Sequence, residues 1–399
     1  MEENCTHGVR YGTLCAWCGA DLGIQNHAMT MTNSKSVTFN EIEASQIIHD
    51  HFTKIKEKGK LCLLIHMDQV IIDSKVCLDK KYIAPSGLES QYFVTNTEPP
   101  YLVRTRPYLI ECLKRLSQKY ELRIFSVESE KFISEVLLHI DPDNDYFGDR
   151  INSRTVLAND YTVIVDVSSE NWRDSSNLPV CGFVQVTPFV GLGSSPRGKV
   201  FPLLPTYSQK YFQKKEDTAM IGLTNFLINI HSLFFSDENC KINEAIHAAY
   251  SQVFQNCIIC SSDLVDSSST QEDFMKFVVK YGGRYSPQFT PFCTHIIADS
   301  PESESVKQAQ EYQGVYIITF EWLIESCTNF VKSDENNFKL VGVESPTKGT
   351  KQLEVMGPDR DLSSSEFDNM MNETTTDSMS EEESSYISEA EINSSFSIP

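Results

Sequence analysis

Runs of consecutive apolar residues alternate with stretches of helical periodicity in the first half of this 399-residue chain. Residues 61–65 are all apolar or Cys, as expected of a strand that is buried on both faces of a parallel sheet. A short strand is predicted at 121–126 and a third, buried strand at 161–166, with amphipathic helices at 108–119 and 130–139. Strands that alternate with helices in this way predict a doubly wound α/β sheet.

Polar residues stand where each of these strands ends. His66 and Asp68 follow the first strand, Ser126 ends the second, and Asp166 ends the third. Open α/β sheets bind their ligands at the carboxyl ends of the strands, so this edge is a candidate site. The alternative from the pattern alone is an ordinary core strand with a polar end, because a fold does not by itself establish a function.

The segments around this core are predicted from their local patterns. Residues 41–58 are expected to form an amphipathic helix that Gly59 ends, and residues 28–40, rich in Ser, Thr and Asn, are interpreted as a linker. Turn signals and mixed polarity at 76–103 predict a β-rich flap. An apolar stripe in the segment 199–246 predicts a helical connector whose apolar face is more plausibly core than a partner groove.

A second, smaller α/β domain is predicted at 248–342. Its predicted strands are at 253–260, 294–298 and 315–319, and its predicted helices are at 272–281, 305–312 and 321–327. Gly282 and Gly283 supply the end of the first of these helices. Cys257 and Cys260 should point to opposite faces of the first strand, which argues against a metal site there.

The net charge of the chain bears on which partners it can bind. The formal net charge of −21 argues against general nucleic-acid binding, because counterion release requires clustered Lys and Arg. Residues 343–399 contain thirteen Asp or Glu against three Lys or Arg, which gives −10, and they are expected to be a disordered acidic tail that binds a protein.

No window approaches the ~18 uninterrupted apolar residues of a membrane helix. The polar, acidic start is unlike a secretory signal, which favours cytosol or nucleus.

Cysteine and histidine near the start of the chain have the spacing of a metal site. Cys5 and His7 are followed by Cys15 and Cys18 in a C-x-x-C-G knuckle. Three thiols and one imidazole make a tetrahedral zinc set, and so small a unit would need the metal to fold. The residues 1–27 are therefore interpreted as a zinc knuckle, with a disordered leader carrying reduced cysteines as the alternative.

Five motifs occur in an order that is informative. They are 60–74, 104–107, 120–126, 147–153 and 163–172. Together they resemble the RNA polymerase II C-terminal-domain phosphatases, aspartate-dependent enzymes of the haloacid-dehalogenase superfamily, over about residues 56–190. The cysteine-rich start is also similar to the amino terminus of the BRCT-bearing members. The resemblance implies a haloacid-dehalogenase-like sheet, a nuclear location and a role in transcription.

The resemblance also implies roles for individual residues. In the family the first strand ends in Asp-x-Asp, where the first Asp attacks phosphorus and binds Mg²⁺ and the second protonates the leaving group. Here those positions hold His66 and Asp68. Ser126 matches the hydroxyl that contacts the phosphoryl oxygens, and Arg106 matches the arginine that reaches the substrate phosphate.

Two further family positions have changed. The acidic pair that completes the Mg²⁺ site is Asp166 and Val167 here, and the lysine that offsets phosphoryl charge is missing from 153–162. Phosphoryl transfer depends on Mg²⁺ and a cation around the equatorial oxygens. The resemblance therefore favours an inactive protein that acts by binding. The alternatives are transfer through His66 itself and a working Mg²⁺-dependent phosphoserine phosphatase.

The second domain resembles a BRCT module by its Gly-Gly, Thr-His-Ile-Ile-Ala and Trp-Leu-x-x-Ser elements. The resemblance implies a phosphate contact from a hydroxyl after the first strand, which Ser261 or Ser262 could supply. The expected lysine position holds Ser305, and Lys307 lies two residues further on, so weak phosphate recognition is expected. The resemblance also suggests general transcription factor IIF as a partner of the acidic tail.

Overall fold

The computed structural model describes residues 5–23, 29–31, 34–78, 82–148, 161–170, 172, 181–197, 216–261, 268–343 and 351–353. Residues 1–354 form one compact unit, and residues 355–399 form a second unit, none of which is among the described residues. Of the predicted acidic tail at 343–399, only residues 343 and 351–353 are among the described residues. Residues 199–215 of the predicted connector also lie outside the described residues.

The described strands are β1 (Val9–Tyr11), β2 (Leu14–Cys15), β3 (Met29–Met31), β4 (Ser34–Phe39), β5 (Leu61–His66), β6 (Ile72–Val76), β7 (Tyr92–Val94), β8 (Tyr101–Thr105), β9 (Tyr120–Phe125), β10 (Thr162–Asp166), β11 (Phe183–Gln185), β12 (Ile258–Ser261), β13 (Arg284–Ser286), β14 (His295–Ile297), β15 (Tyr312–Gln313), β16 (Tyr316–Ile318) and β17 (Lys351–Gln352). The described helices are α1 (Glu41–Glu57), α2 (Leu109–Leu116), α3 (Glu130–Ile140), α4 (Ala219–Ser236), α5 (Ile242–Ser251), α6 (Ser268–Lys280), α7 (Glu304–Ala309) and α8 (Phe320–Asn329). Short 3₁₀ turns occur at Glu89–Gln91 and Glu335–Phe338.

An antiparallel sheet of order β2-β1-β4-β3 begins the fold. The interpretation of residues 28–40 as a linker was wrong, because β3 and β4 fall within this range and β4 pairs with β1. Thr38 lies opposite Arg10, and both side chains are buried. Thr and Val suit a half-buried pleated strand, so the polar composition that suggested a linker is compatible with a sheet.

Helix α1 confirms the prediction for 41–58. The Asn40 side chain accepts a hydrogen bond from the Glu43 amide and caps the helix, and Gly59 ends it with φ of 66°. Phe52 and Ile55 are buried, whereas Ile42 is 78% exposed and does not belong to the buried face. The helix covers one face of the central sheet.

The central sheet is parallel and has the order β11-β10-β5-β9, which confirms the doubly wound prediction. All six residues of β5 are buried. Leu61, Leu63 and Ile65 pack into one apolar cluster. Cys62 and Leu64 pack into another, against α1. The strand therefore has a core on both faces, and its carboxyl end brings His66 to the sheet edge between β10 and β9.

The flap predicted at 76–103 is an antiparallel sheet of order β6-β8-β7. Strand β6 begins six residues after β5 ends, and β8 returns the chain to α2. The amphipathic pattern predicted for 108–119 is confirmed, because the apolar residues of α2, Leu109, Cys112, Leu113 and Leu116, are all buried.

Helix α4 joins the two halves of the molecule. Its predicted stripe is core, because Leu223, Phe226, Leu227, Ile230 and Phe234 are buried among residues of both halves. This helix is long and apolar enough to cross a membrane by length and composition alone. Just over half of it is buried within the protein, which accounts for its apolar sequence.

The second domain has a parallel sheet of order β13-β12-β14-β16. Its first strand begins only at Ile258, because the chain turns at Asn256 with φ of 64°. Strand β13 was not predicted. Cys257 and Cys260 belong to different apolar clusters, which confirms that they lie on opposite sides.

Candidate functional site

His66 lies between two carboxylates at the carboxyl end of β5. Its Nδ1 is 3.2 Å from Asp166 Oδ1, and its Nε2 is 3.8 Å from Asp68 Oδ2. The residue is 1% exposed, and its ring stacks on Phe125 with centroids 5.4 Å apart. Neither ring nitrogen has the alignment of a hydrogen bond within the described structure, so these contacts are ion-pair distances and not directed bonds.

Asp68 and Ser126 form the second contact of the site. The Ser126 hydroxyl donates to Asp68 Oδ2 across 2.7 Å and accepts a hydrogen bond from the Glu128 amide at 3.1 Å. Gln69 follows with φ of 59°, and its amide bonds the Ile72 carbonyl in a tight turn. In this arrangement Asp68 contacts Ser126 and His66 at the strand ends. The predicted neighbours His66, Asp68 and Ser126 are thus brought together.

The carboxyl of Glu128, near Asp68, has a raised pKa. Burial raises the pKa of its carboxyl, the negative charge of Asp68 raises it further, and Arg197 opposes the shift. The sequence did not indicate Glu128 as part of the site, and its position two residues after Ser126 was the available signal.

Asp166 is held by two short hydrogen bonds. Its Oδ1 accepts from the Val167 amide and its Oδ2 from the Trp172 indole, each at 2.6 Å. Val167 is 1% exposed and belongs to the apolar core, so the next position offers no ligand atom. No role for Trp172 was predicted, although an indole six residues after a strand-end carboxylate is a recognisable donor.

Arg106 is buried and fixed by contacts inside the protein. Its Nε donates to Asp217 Oδ2 at 3.0 Å, and its Nη1 donates to the Val70 and Thr187 carbonyls, each at 3.1 Å. The guanidinium also lies over Phe189, 5.5 Å from the ring centroid. In this arrangement Arg106 ties β8 to the segments before α4, and its predicted contact with a substrate phosphate stays a prediction.

The donor set at this site does not fit Mg²⁺. Mg²⁺ requires near-octahedral oxygen ligands, and imidazole nitrogen and an aliphatic side chain supply none. Asp68 and Asp166 remain, but the His66 ring lies between them and Asp166 already accepts two hydrogen bonds. The strand ends therefore form an internal ion-pair cluster.

The Cys and His residues near the start converge as predicted. Ligand atoms of Cys5, His7, Cys15 and Cys18 all lie within 4.8 Å of one another. The Cys5 and Cys15 sulfurs are 3.6 Å apart, and Cys18 Sγ is 3.5 Å from His7 Nδ1. Tetrahedral zinc bonds imply about 3.8 Å between two sulfurs and about 3.6 Å between sulfur and nitrogen.

Backbone amides support a thiolate in this cluster. The amide at Cys18, followed by the His7 side chain and the amide at Trp17, lowers the pKa of Cys15 to about 6. Gly19 turns the chain with φ of 76°, as the predicted knuckle requires. The residues thus fit Zn²⁺, which would supply the stability that so small a sheet cannot obtain from burial.

The proposed phosphate contact of the second domain is only partly described. Ser261 is buried and its hydroxyl lies 3.1 Å from the Tyr285 hydroxyl, whereas Ser262 lies outside the described residues. Lys307 is paired with Glu302 at 3.3 Å and is 53% exposed.

Comparisons with known proteins match both halves of the chain. The sequence model of the NLI interacting factor-like phosphatases matches residues 61–191, and that of the BRCA1 C-terminus (BRCT) domain matches residues 249–327. A phosphatase of the RNA polymerase II C-terminal domain from Caenorhabditis elegans is 24% identical over 87% of this chain and 58% of its own length. An RNA polymerase II C-terminal domain phosphatase-like protein of Arabidopsis thaliana is 20% identical over 85% of this chain and 83% of its own.

Solved structures agree on the fold. A fission yeast RNA polymerase II CTD phosphatase, Fcp1, solved as a variant bound to beryllium fluoride, matches with a TM-score of 0.53 at 19% identity. The match covers 74% of this chain and all of that structure. The chain spans about three fifths of the C. elegans relative.

Proposed function

Because this chain joins a domain of the NLI interacting factor-like phosphatases to a BRCT domain, and resembles the RNA polymerase II C-terminal-domain phosphatases, we propose that it is an impaired relative of these enzymes. In this proposal phosphoryl transfer is lost or severely reduced, and the protein acts in the nucleus by binding other proteins during transcription.

The position of His66 carries the proposal. An imidazole stands where the family resemblance expects the attacking carboxylate, and its two nitrogens face Asp68 and Asp166. A phosphoryl group attacked from this strand would have to enter a space in which His66, Asp68, Ser126 and Asp166 are each at most 4% exposed. The expected Mg²⁺ and the lysine missing from 153–162 are the two groups that would offset the charge of the transferred phosphoryl oxygens.

The proposed partners follow from the resemblance and from charge. The C-terminal repeats of RNA polymerase II are the expected protein ligand of the phosphatase-like domain. The net charge of −10 in residues 343–399 supports a basic protein partner for the tail, for which we propose general transcription factor IIF. Zn²⁺ bound by Cys5, His7, Cys15 and Cys18 completes the proposal as a structural ion.

A working phosphoserine phosphatase is the second candidate, favoured by one observation. Asp68 and Ser126 keep a 2.7 Å hydrogen bond at the strand ends, which is the arrangement of a proton-transfer acid beside a phosphate-binding hydroxyl. This candidate requires the protein to tolerate both His66 and Val167.

Turnover of a small aryl phosphate with Mg²⁺ separates the two candidates. We expect no measurable turnover from the unmodified protein, and little from the double variant His66→Asp, Val167→Asp, because the lysine is still missing. The single variant His66→Ala is the matched control. Robust activity of the unmodified protein would refute the impaired function, and activity that persists in His66→Ala would exclude His66 as the phosphoryl acceptor.

Binding requires a separate measurement. Titration of phosphorylated and unphosphorylated polymerase heptad peptides tests the proposed ligand directly. We expect the second domain to add little discrimination between them, because Lys307 is engaged with Glu302. Equal and negligible affinity for both peptides would remove the polymerase repeats as a ligand.

A further inference from the structure

Two buried carboxylates at the strand ends share one neighbour, the imidazole of His66. Asp68 is 4% exposed and Asp166 is 1% exposed, and the ion pairs that each makes within the described residues are both with His66. Buried carboxylates without a compensating cation are strongly destabilising. The site therefore needs a group between them.

Two other charged groups act near the site. Glu128 adds negative charge beside Asp68, and Arg197 lowers the pKa of Glu128. Arg106 pairs with Asp217. The two nitrogens of the His66 imidazole each face one of the carboxylates, with Nδ1 3.2 Å from Asp166 and Nε2 3.8 Å from Asp68.

Contacts among four side chains, His66, Phe125, Trp172 and Asp166, hold the imidazole in place. His66 stacks on Phe125, and Phe125 meets Trp172 edge to face with centroids 5.3 Å apart. Trp172 donates to Asp166 at 2.6 Å, and Asp166 lies 3.2 Å from His66. Each of the four side chains is at most 5% exposed. The ring is thus a packed part of the core as well as a neighbour of both carboxylates.

We infer that the His66 side chain has taken over the structural task of a divalent cation, holding Asp68 and Asp166 together so that the site is stable without Mg²⁺ and does not bind it. The inference rests on the proposed loss of phosphoryl transfer, but its test measures metal-linked stability and is independent of turnover and of peptide binding. It assigns to His66 a positioning role in the fold.

Thermal unfolding of the full-length, zinc-loaded chain tests the inference, with and without millimolar Mg²⁺. We expect no change in the midpoint of the unmodified protein. His66→Asp should lower the midpoint by roughly 5 °C without Mg²⁺, because three carboxylates then meet, and Mg²⁺ should restore at least half of the loss. His66→Asn removes the imidazole without adding a carboxylate ligand, so it should be destabilised and unresponsive to Mg²⁺.

Two results would overturn the inference. One is a rise in the midpoint of the unmodified protein with Mg²⁺. The other is a His66→Asp variant that is as stable as the unmodified protein and equally indifferent to Mg²⁺. If His66→Asp does not fold, titration of the unmodified protein with Mn²⁺ followed by electron paramagnetic resonance decides, since binding that Asp166→Asn abolishes would refute the inference. Mg²⁺-dependent turnover would refute the proposed function as well as this inference. A lack of binding to the heptad peptides would exclude only the polymerase repeats as a ligand.

Discussion

Trp172 donates its indole N–H to a carboxylate oxygen of Asp166 across 2.6 Å, in a region where both side chains are at most 5% exposed. The contact joins the end of the central sheet to the chain that follows it. Because it fixes the orientation of Asp166, it also determines where His66 meets that carboxylate.

Trp172→Phe should destabilise the protein by about 1–3 kcal/mol, since the change keeps an aromatic ring but leaves a buried carboxylate without one of its donors. Urea unfolding at neutral pH measures the difference. Trp17→Phe is the control, because Trp17 is 73% exposed and should change stability little. Equal effects of the two changes would show that the indole bond contributes nothing.

Lys280 is a partly buried amine over the rings of Tyr250 and Tyr281, and burial lowers its pKa to about 8. The unfolded chain therefore binds more protons than the folded chain between about pH 8 and 10.5, so stability should rise with pH across this window. Lys280→Met should stabilise the protein at pH 7 by about 1–2 kcal/mol, and the gain should disappear near pH 10.5.

Urea midpoints of both proteins at pH 7 and at higher pH measure this effect. Lys276→Met is the matched control on the same helix, because Lys276 pairs with Glu272 at the surface. A Lys280→Met variant that is less stable than the unmodified protein at pH 7 would contradict the expectation.

Glu335 connects the sheet of the second domain to the turn that follows α8. The hydrogen bond with His295, with help from Lys332, lowers the pKa of Glu335 to about 2. Its contribution to stability should be complete above pH 4.5 and should be lost as the pH falls toward 2. Glu335→Gln should therefore lower stability at pH 7 by about 1–3 kcal/mol, with a difference that shrinks in acid.

Chemical unfolding between neutral pH and pH 3 checks the sign. Glu302→Gln, at an 81% exposed side chain that pairs with Lys307, should have almost no effect at any pH. A Glu335→Gln difference that grows as the pH falls would be incompatible with this account.

Cys15→Ser should remove zinc from the amino-terminal sheet and lower its stability, because Cys15 is one of four converging ligands. Elemental analysis should find about one zinc per chain in the unmodified protein and much less in the variant. Cys240→Ser is the control, since Cys240 lies outside the cluster. Equal zinc content in the two variants would exclude the site.

The central sheet could be predicted because the signals for its strands are local. Continuous apolar residues mark β5 and β10, and the polar residue at the end of each strand locates the site edge. The convergence of the four zinc ligands followed equally well from their spacing. In each case the signal lies within a few residues of the structure that it predicts.

The features that the sequence did not reveal depend on distant partners. Strands β3 and β4 look like a polar linker until β4 pairs with β1 on one side and with β3 on the other. Arg106 meets Asp217, which is 111 residues further along the chain. The indole of Trp172 and the carboxylate of Asp166 are close in sequence, but the contact between them forms where Trp172 packs against Phe125 of β9.

Helix α4 places residues of the phosphatase-like domain and of the BRCT domain in one continuous apolar cluster. Tyr120 of the central sheet bonds its Leu227 carbonyl, and Phe330 after α8 stacks on its Phe226. The two domains should therefore melt in a single cooperative transition, and neither half should remain monodisperse when expressed without this helix. If truncation of the BRCT domain impairs the phosphatase-like domain, the first explanation would then be disruption of this shared folding unit and not loss of a binding partner.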